Sequence, residues 1–243
     1  MFTGIVEIVG TVAALDYDNG SGQTVMTISG AEEILHDAHL GDSISINGTC
    51  LTITSFTKDT FTLGISPETL RRTNLGRLSA ASPTTSSPTQ VNLERAVSAS
   101  TRMGGHFMQG HVDTVATIDS VTPDGDSALT FRLRPRDQSV LRYVVEKGYV
   151  ALDGTSLTVT RVDDAGGWWE VMLIAYTQEK VVLARKKAGE EVNVEVDMVG
   201  KYVEKSVRGM LEGTDGAGSG EGVLEKVVQR IVDERLKKAG VGI

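Results

Sequence analysis

The stretch Gly41–Thr54, GDSISINGTCLTIT, decides the fold of this chain because a second copy of it stands at Gly148–Thr160, GYVALDGTSLTVT. Gly48 of the first copy recurs as Gly154 of the second, 106 residues later. In both copies an alternating strand leads into a Gly-Thr corner and then into another alternating strand. The chain therefore holds two copies of one β-rich unit.

The repeat keeps its register well beyond this stretch. Near the N-terminus, Gly4 recurs as Gly110 at the same offset. Towards the end of each unit, VNLE at residues 91–94 recurs as VNVE at residues 192–195. The second offset is slightly shorter because the first half contains extra loop residues. A register that holds at three separate places argues against two unrelated hairpins that share a turn by chance.

Each half contains about six or seven short strands with turns between them, a pattern typical of a small closed antiparallel barrel. Closure would also remove the exposed edges that short strands otherwise leave. We therefore predict an all-β protein of two tandem homologous six-stranded antiparallel Greek-key barrels, at residues 1–102 and 103–199. C-terminal helices follow within residues 200–243, and the first strand is expected at Phe2–Val12.

After the second barrel the apolar period becomes that of a helix. A Gly-rich linker at Gly213–Gly222 separates two predicted amphipathic helices, the second at Glu221–Lys238. The apolar faces consist of Tyr202, Val203, Val207, Met210 and Leu211 in the first helix and Leu224, Val227, Val228 and Ile231 in the second. Such faces need a partner, which is either the chain's own barrel or another subunit.

The composition indicates a soluble protein of the cytoplasm. The 24 basic and 32 acidic residues give a formal net charge of −8, which argues against binding to nucleic acid or to an anionic membrane. Cys50 is the single cysteine, so no internal disulfide can form, as is usual in a reducing compartment. No apolar run is long enough to span a membrane, and the N-terminus lacks the regions of a signal peptide.

Standard catalytic signatures are missing from the sequence. It contains no Walker A loop, no GxSxG elbow, no HExxH and no CxxC. His36 and His39 have helical spacing, but no third ligand lies near them in sequence, so a solvated surface is the better interpretation. His106 and His111 would point to opposite faces of an extended segment. We therefore predict no metal site.

The two copies differ at positions that carry chemistry. His106 is expected to act in one half alone, because its counterpart would fall before Met1. A carboxylate beside an ammonium group stays ionised, so we expect Asp153 to lie beside Lys147 and to order a hydroxyl or a histidine. The full set of differences is Gly41, Asn47 and Cys50 in the first copy against Lys147, Asp153 and Ser156 in the second.

The positions that the copies share suggest one ligand shape that is bound twice. A Gly-Thr corner offers backbone N–H groups and a hydroxyl to a flat polar molecule, and Thr52 recurs as Thr158. Two similar pockets with different chemistry suit a reaction between two like molecules, one of which loses a proton while the other is attacked. The alternative is that these polar residues are ordinary turn and edge positions.

Six motifs resemble the riboflavin synthases, a family of trimeric enzymes built from two lumazine-binding barrels. They occur in the family's order and spacing and cover both halves of the chain. The motifs are MFTGIVE (Met1–Glu7), NGTCLTIT (Asn47–Thr54), SPETLRRTNLG (Ser66–Gly76), VNLERA (Val91–Ala96), GGHFMQGHVD (Gly104–Asp113) and KGYVALDGTSLTVT (Lys147–Thr160).

The resemblance implies a transferase that needs no metal or redox cofactor. The family dismutates two molecules of 6,7-dimethyl-8-ribityllumazine by transfer of a four-carbon unit. The products are riboflavin and 5-amino-6-(D-ribitylamino)uracil, and this is the last step of riboflavin biosynthesis. The two lumazines of one site would lie between the N-terminal barrel of one subunit and the C-terminal barrel of the next, in a homotrimer held partly by C-terminal helices.

The resemblance also implies site residues at the matching positions. Those expected in catalysis are Phe2, Cys50, His106, Lys147 and Asp153. The first substrate pocket is expected to use Gly4, Ile5, Val6, Cys50, Leu51, Thr52, Gly64, Ile65, Ser66, Pro67, Glu68 and Thr69, with Gly105, His106 and Phe107 nearby. The second is expected to use Lys147, Ser156, Leu157, Thr158, Met172, Leu173, Ile174, Ala175, Tyr176 and Thr177. The loop Ile174–Thr177 lacks the Pro-Glu or Pro-His that the family usually has before this threonine, so substrate binding there is expected through the backbone.

Two other functions fit barrels of this kind. One is a non-catalytic lumazine- or flavin-binding protein, which would not require all five candidate catalytic residues to be present. The other is a flavin-reductase-type module, but its usual Arg-x-Tyr-Ser/Thr motif and its following nucleotide-binding domain are absent from the sequence. The enzyme is therefore the favoured interpretation.

Overall fold

The computed structural model describes residues 1–17, 24–78, 89–212 and 223–238. The sequence also predicts a turn at residues 18–22 and a Ser/Thr/Pro-rich loop at residues 79–89. That turn, residues 79–88 of the loop and the linker predicted at residues 213–222 lie outside the described residues. The chain divides into two compact units, Met1–Asp197 and Met198–Ile243. Among the described residues, the first unit contains all the strands and the second contains two helices.

The first half of the chain is a closed barrel of six antiparallel strands. Around the barrel their order is β1-β2-β5-β4-β3-β6. Because β6 returns beside β3 after the β3-β4-β5 meander, the connection is a Greek key. The strands are β1 Ile8–Asp16, β2 Thr24–Ser29, β3 Ser43–Ile46, β4 Thr49–Phe56, β5 Phe61–Ile65 and β6 Gln90–Arg95, with helices α1 Glu32–Leu35 and α2 Pro67–Arg72 and a 3₁₀ turn at Leu75–Arg77.

The second half repeats this barrel with the same cyclic order, β10-β11-β8-β7-β12-β9. The predicted fold class is confirmed. The prediction of a strand at Phe2–Val12 is wrong, because β1 begins at Ile8 and Phe2 makes an isolated bridge instead. The strands are β7 Thr114–Asp124, β8 Ala128–Pro135, β9 Tyr149–Leu152, β10 Thr155–Asp163, β11 Trp168–Leu173 and β12 Glu191–Val196, with helix α3 Ala175–Lys180 and 3₁₀ turns at Gln138–Tyr143 and Val182–Arg185.

Alternate residues of the strands fill each barrel with apolar side chains. In β4, Leu51 and Ile53 are buried while Thr52 between them is exposed, and β10 repeats this with Leu157 and Thr158. This two-residue period is what a sheet with one buried face requires. The polar threonines of the repeat therefore lie on the outer wall of each barrel.

The two helices of the second unit are α4 Met198–Glu212 and α5 Val223–Lys238, and they contact each other. Apolar residues of both helices are solvent-exposed within the chain: Val199, Tyr202, Val203, Val207, Met210 and Leu211 in α4, and Val227, Val228, Ile231 and Val232 in α5. None of the helices in the described part of the chain is both long and apolar enough to cross a membrane.

Each copy of the repeated hairpin turns on two residues with positive φ. These are Asn47 (45°) and Gly48 (78°) in the first barrel, and Asp153 (43°) and Gly154 (78°) in the second. Positive φ at both central residues is the geometry of a type I′ turn, for which Asn-Gly and Asp-Gly are the preferred sequences. The residue types at these corners thus follow from the backbone.

The two corners pack against each other at the centre of the first unit. A Cβ atom on Gly48 would lie 2.7 Å from the amide nitrogen of Gly154, and one on Gly154 would lie 2.6 Å from that of Gly48. Thr49 and Thr155 are buried there as well. The expectation that the Gly-Thr corners receive a ligand is therefore wrong, because the other corner occupies that space.

A symmetric set of buried hydrogen bonds surrounds this contact. The side-chain amide of Asn92 donates to the backbone carbonyl of Asp153 at 2.8 Å, and that of Asn193 donates to the carbonyl of Asn47 at 2.9 Å. The backbone N–H of Asn92 also donates to the Asn47 side chain at 2.8 Å. Each barrel thereby binds the turn of the other, and the two barrels are related by an approximate two-fold axis through the corners.

The contact between the corners predicts a specific cost for Gly48→Ala. Gly30 has a similar positive φ of 75°, but a Cβ there would meet nothing within 4 Å. Gly30→Ala should therefore lower the unfolding free energy by only about 1 kcal/mol, because it adds backbone strain and no clash. Gly48→Ala should lose at least about 2 kcal/mol more, because the barrels must separate. Urea unfolding of both variants measures this difference, and equal losses would contradict the proposed packing.

Candidate active site

Two extended arms connect the barrels across the approximate two-fold axis. The first arm is residues 1–7 and the second arm is residues 107–113. They pair through Phe2 and Met108, whose backbones exchange hydrogen bonds of 2.8 and 3.1 Å. The Gly4 carbonyl of the first arm accepts from the Ser156 N–H of the second barrel at 2.8 Å. In the same way, Gly110 accepts from Cys50 of the first barrel at 2.8 Å. The first arm, which leads into the first barrel, therefore runs along the hairpin of the second barrel. The second arm, which leads into the second barrel, runs along the hairpin of the first.

A buried glutamate holds each arm in place. Glu94 accepts hydrogen bonds from the backbone N–H of Thr3 (2.6 Å) and of Gly4 (3.0 Å). Glu195 accepts from Gln109 (2.7 Å) and from His111 (2.8 Å) in the second arm. Burial raises the pKa of Glu94, although its hydrogen bonds oppose this change. These glutamates are the repeated final residues of VNLE and VNVE.

The outer wall of the second barrel carries a group of exposed or half-buried polar side chains. Ser156 and Thr158 alternate with the core residues of β10, so both side chains point outwards. Tyr149 of β9 is paired with Thr158 across the sheet. We call this surface, formed by Tyr149, Ser156 and Thr158, the second wall.

His106 lies against the second wall. Its Nδ1 atom is 2.6 Å from the Ser156 hydroxyl, and its backbone N–H donates to the Thr3 carbonyl at 3.1 Å. The imidazole ring stacks on Tyr149, with the ring centroids 5.1 Å apart. His106 is 7% exposed, and no described protein group makes a hydrogen bond to its Nε2 atom. Burial lowers the pKa of His106, which favours the neutral form of the ring.

The first barrel has a corresponding outer wall with different side chains. Cys50 stands at the position of Ser156, and Thr52 at that of Thr158. Ser43 pairs with Thr52 where Tyr149 pairs with Thr158. We call Ser43, Cys50 and Thr52 the first wall. The two walls share a threonine and differ at the other two positions, so they are similar in shape but not in chemistry.

Asp153 lies inside the junction between the barrels, with 0% of its surface exposed. Its Oδ2 atom is 2.5 Å from Nζ of Lys186, and its Oδ1 atom accepts from the Asn193 N–H at 2.8 Å. The expected pairing of Asp153 with Lys147 is therefore wrong. Lys147 is exposed in a turn with a φ of 64°. The physical reason is that the Asp-Gly turn points into the junction between the barrels, where Lys186 of the same barrel reaches its carboxylate.

The remaining candidate residues fall into a buried and an exposed group. Phe2 is fully buried at the axis, where it packs with Met108, Ala151 and Cys50. The side chains of Leu51, Ile65, Leu157 and Leu173 belong to the barrel cores, and Gly4 is buried and Val6 half-buried in the first arm. The exposed group is Ile5, Phe107, Met172, Ile174, Ala175 and Tyr176; Gly64, Gly105 and Thr177 are half-buried.

The loop Ser66–Thr69 starts α2. Ser66 caps this helix by accepting from the Thr69 N–H at 3.1 Å, and Pro67 occupies its first turn. Glu68 is exposed and bonded by both Arg71 and Arg72, which lower its pKa. Its carboxylate therefore stays ionised, and the two arginines balance its charge.

Sequence reasoning missed three residues that shape the site. Tyr149 could have been found, because Ser43 stands at its place in the other copy. Glu94 belongs to the repeated motif VNLE/VNVE, which indicates the register of the repeat but does not by itself indicate a role for the glutamate. Lys186 carried no signal, since its contact with Asp153 depends on how the 3₁₀ turn before it approaches the junction.

The fold and the two walls define a class: tandem β-barrel proteins with one candidate small-molecule site on the outside of each barrel. The lumazine binding domain family matches this chain twice, at residues 3–96 and 109–197. Riboflavin synthase of Schizosaccharomyces pombe is 55% identical over 209 residues, which cover 85% of this chain and 94% of that protein. Riboflavin synthase of Saccharomyces cerevisiae is 45% identical over 243 residues, covering 98% of both. The chain belongs to the riboflavin synthase family.

The fold also resembles solved structures of LumP. The complex of LumP with riboflavin has a TM-score of 0.70 at 20% sequence identity and covers 81% of this chain. The complex with 6,7-dimethyl-8-(1'-D-ribityl) lumazine has a TM-score of 0.68 at the same identity. At this level of identity the likeness concerns the fold.

The Asp153–Lys186 pair predicts a double-mutant effect on stability. Lys186→Leu leaves a buried carboxylate without its cation and should lose about 3 kcal/mol of unfolding free energy. Adding Asp153→Asn should recover most of that loss, because Asn47 and Leu78 stand at these two positions in the first barrel. Denaturant unfolding of both single variants and of the double variant checks this. Additive losses would show that the two side chains are not coupled.

Proposed function

We propose that this protein catalyses the dismutation of two molecules of 6,7-dimethyl-8-ribityllumazine to riboflavin and 5-amino-6-(D-ribitylamino)uracil. The observation that carries the proposal is the hydrogen bond between His106 and Ser156 on the second wall, where burial lowers the pKa of the imidazole. The identity of 55% and 45% with two riboflavin synthases supports the same reaction. No cofactor is required, because the reaction only transfers a four-carbon unit and protons between two lumazines.

His106 and Ser156 would move the proton that starts the reaction. The C7 methyl group of the lumazine is acidic, because its carbanion delocalises into the ring. A modest base in a fixed position is then sufficient. With the Ser156 hydroxyl donating to Nδ1, the oxygen can take a proton from the substrate as it passes its own to the imidazole. The lowered pKa keeps His106 able to accept that proton at neutral pH.

The two walls would hold one lumazine each. Thr52 and Thr158 are equivalent and exposed, so each would hydrogen-bond the same part of its substrate. The half-buried Cys50 replaces Ser156 on the first wall, and among the described residues no histidine is hydrogen-bonded to its thiol, whereas Ser156 is bonded to His106. The chemistry would therefore be divided, with the proton acceptor at the second wall.

Asp153 would act as a positioning residue in this scheme. It immediately precedes Gly154, Thr155 and Ser156 in the turn, and its carboxylate fixes that turn to Lys186 and Asn193. Because no part of Asp153 is exposed, it would act through Ser156. Phe2 would likewise support the site by fixing the pairing of the arms.

Two further expectations, one about the assembly and one about metal ions, belong to the proposal. The first is a cytoplasmic homotrimer, in which the first wall of one subunit faces the second wall of the next. The exposed apolar face of α4 supports an association between subunits. The second is independence from metal ions. Within the described residues, no group of three His, Cys, Asp or Glu side chains is placed to hold a metal.

The alternative function is lumazine or flavin binding without turnover, because LumP has this fold and its structures hold such ligands. LumP is 20% identical to this chain, whereas the riboflavin synthases are 45% and 55% identical. The hydrogen-bonded His106 and Ser156 also offer a base for proton transfer, which binding alone does not require.

The assay that tests the proposal is the appearance of riboflavin from the lumazine alone, in buffer containing a strong chelator. The wild-type protein should turn over, while His106→Gln should lower kcat by about 10²-fold or more, as is usual for a general base. The matched control is His36→Gln, which changes an exposed histidine outside both walls and should have wild-type kcat. Tight binding of the lumazine without product would favour the binding protein instead.

Sedimentation tests the trimer and the role of each helix. The full chain should sediment at three times the chain mass, and removal of residues 213–243 should leave the trimer intact. Val203→Glu together with Val207→Glu places two charges on the exposed apolar face of α4 and should dissociate it. A trimer that survives the α4 substitutions but not the truncation would assign the assembly to α5.

A further inference from the structure

Tyr149 occupies a position on the second wall that the proposed chemistry does not yet use. It begins β9, pairs with Thr158, and stacks on His106 with an interplanar angle of 11° and a centroid distance of 5.1 Å. Near-parallel rings at this separation contribute a favourable stacking interaction in addition to the free energy of burying their surface. The equivalent residue of the first barrel is Ser43, which cannot stack.

The hydrogen bonds of His106 do not by themselves fix the plane of its ring. One bond holds the backbone to Thr3, and the other holds a single ring nitrogen to Ser156. The imidazole could still tilt about the line from its Cβ atom to that nitrogen, and the tilt would redirect Nε2 and turn the Nδ1 lone pair away from the hydroxyl. A flat surface against one ring face removes this freedom.

We propose that Tyr149 is a positioning residue for the reaction, which sets the plane of the His106 ring and shields one of its faces from water. The inference rests on the proposed function of the His106–Ser156 pair. The phenol ring is the active feature, and its hydroxyl is not required. Tyr149 is 46% exposed, so its own outer surface remains open to solvent.

The stack has a consequence for the titration of His106. Burial lowers the pKa of the imidazole, and the carboxylate of Asp197 at the end of β12 raises it by a smaller amount. The ring also contacts the Ser156 hydroxyl and the Tyr149 phenol. Removal of the phenol ring would admit water to the imidazole, which favours its charged form. The pKa should then return upwards towards the ordinary value of 6.5.

Three substitutions separate the effects of ring stacking, cover and hydroxyl. Tyr149→Phe keeps the stack and loses the hydroxyl. Tyr149→Leu keeps apolar cover but offers no flat face. Tyr149→Ser introduces the residue of the first barrel, which the same strand position tolerates. Each is measured by steady-state kinetics across pH and by NMR titration of the His106 Cε1–H signal, which is assigned by its loss in His106→Gln.

Tyr149→Phe should retain kcat within about twofold, because stacking is kept. Tyr149→Ser should lower kcat about tenfold with little change in KM, as expected when a catalytic group is misaligned rather than when binding is lost. It should also move the acid limb of kcat/KM, and the NMR pKa of His106, to higher pH. Tyr149→Leu should lower kcat to a lesser extent while the pKa stays near that of the wild type.

Several results would overturn the inference. Wild-type kcat and an unchanged His106 pKa in Tyr149→Ser would make the stack incidental. A raised KM at unchanged kcat would make Tyr149 a substrate-binding residue. An equal loss in Tyr149→Phe would assign the effect to the hydroxyl. Failure of the proposed function is distinguishable, since it would appear as no riboflavin from the wild type, while the NMR titration would still report on the stack.

Discussion

The approach of Gly48 to Gly154 is the constraint on which the first unit depends. Two type I′ turns meet at backbone distance, which is possible only because neither residue has a side chain. The residues before them, Asn47 and Asp153, must tolerate positive φ and also present an acceptor to the opposite strand. Two conditions at one position leave little choice beyond Asn and Asp, which explains why these types stand in the repeat.

From this contact it follows that each barrel helps to build the wall of the other. Glu94 of the first barrel holds the first arm, and that arm accepts from Ser156 and from the backbone of His106 in the second half. Glu195 does the same for the arm beside Cys50. A single barrel would carry a threonine on its outside but no organised site, so the tandem arrangement is a requirement of the chemistry that we propose.

The fold could be predicted from the sequence because its information is local and repeated. Alternating strands and Asn-Gly or Asp-Gly turns specify the hairpins, and the repeat shows that two barrels exist. The proximity of His106 to Ser156 is of another kind: the residues are 50 positions apart and meet only through the first arm. The function of the corners was also misjudged from sequence, because a glycine that admits a ligand and one that admits another backbone give the same pattern.

The asymmetry of the junction is better explained by positioning than by stability. A buried ion pair seldom stabilises a protein more than well-packed neutral residues do, and the first barrel manages with Asn47 and Leu78 where the second has Asp153 and Lys186. What the pair adds is a strong, directional constraint on a turn. That turn leads within three residues to Ser156, whose hydroxyl is hydrogen-bonded to the imidazole of His106. The charged pair and the Tyr149 stack both act on the second wall, where the proposed proton acceptor lies, and the described residues of the first wall include neither. The additional rigidity is therefore at the wall to which we assign the proton transfer.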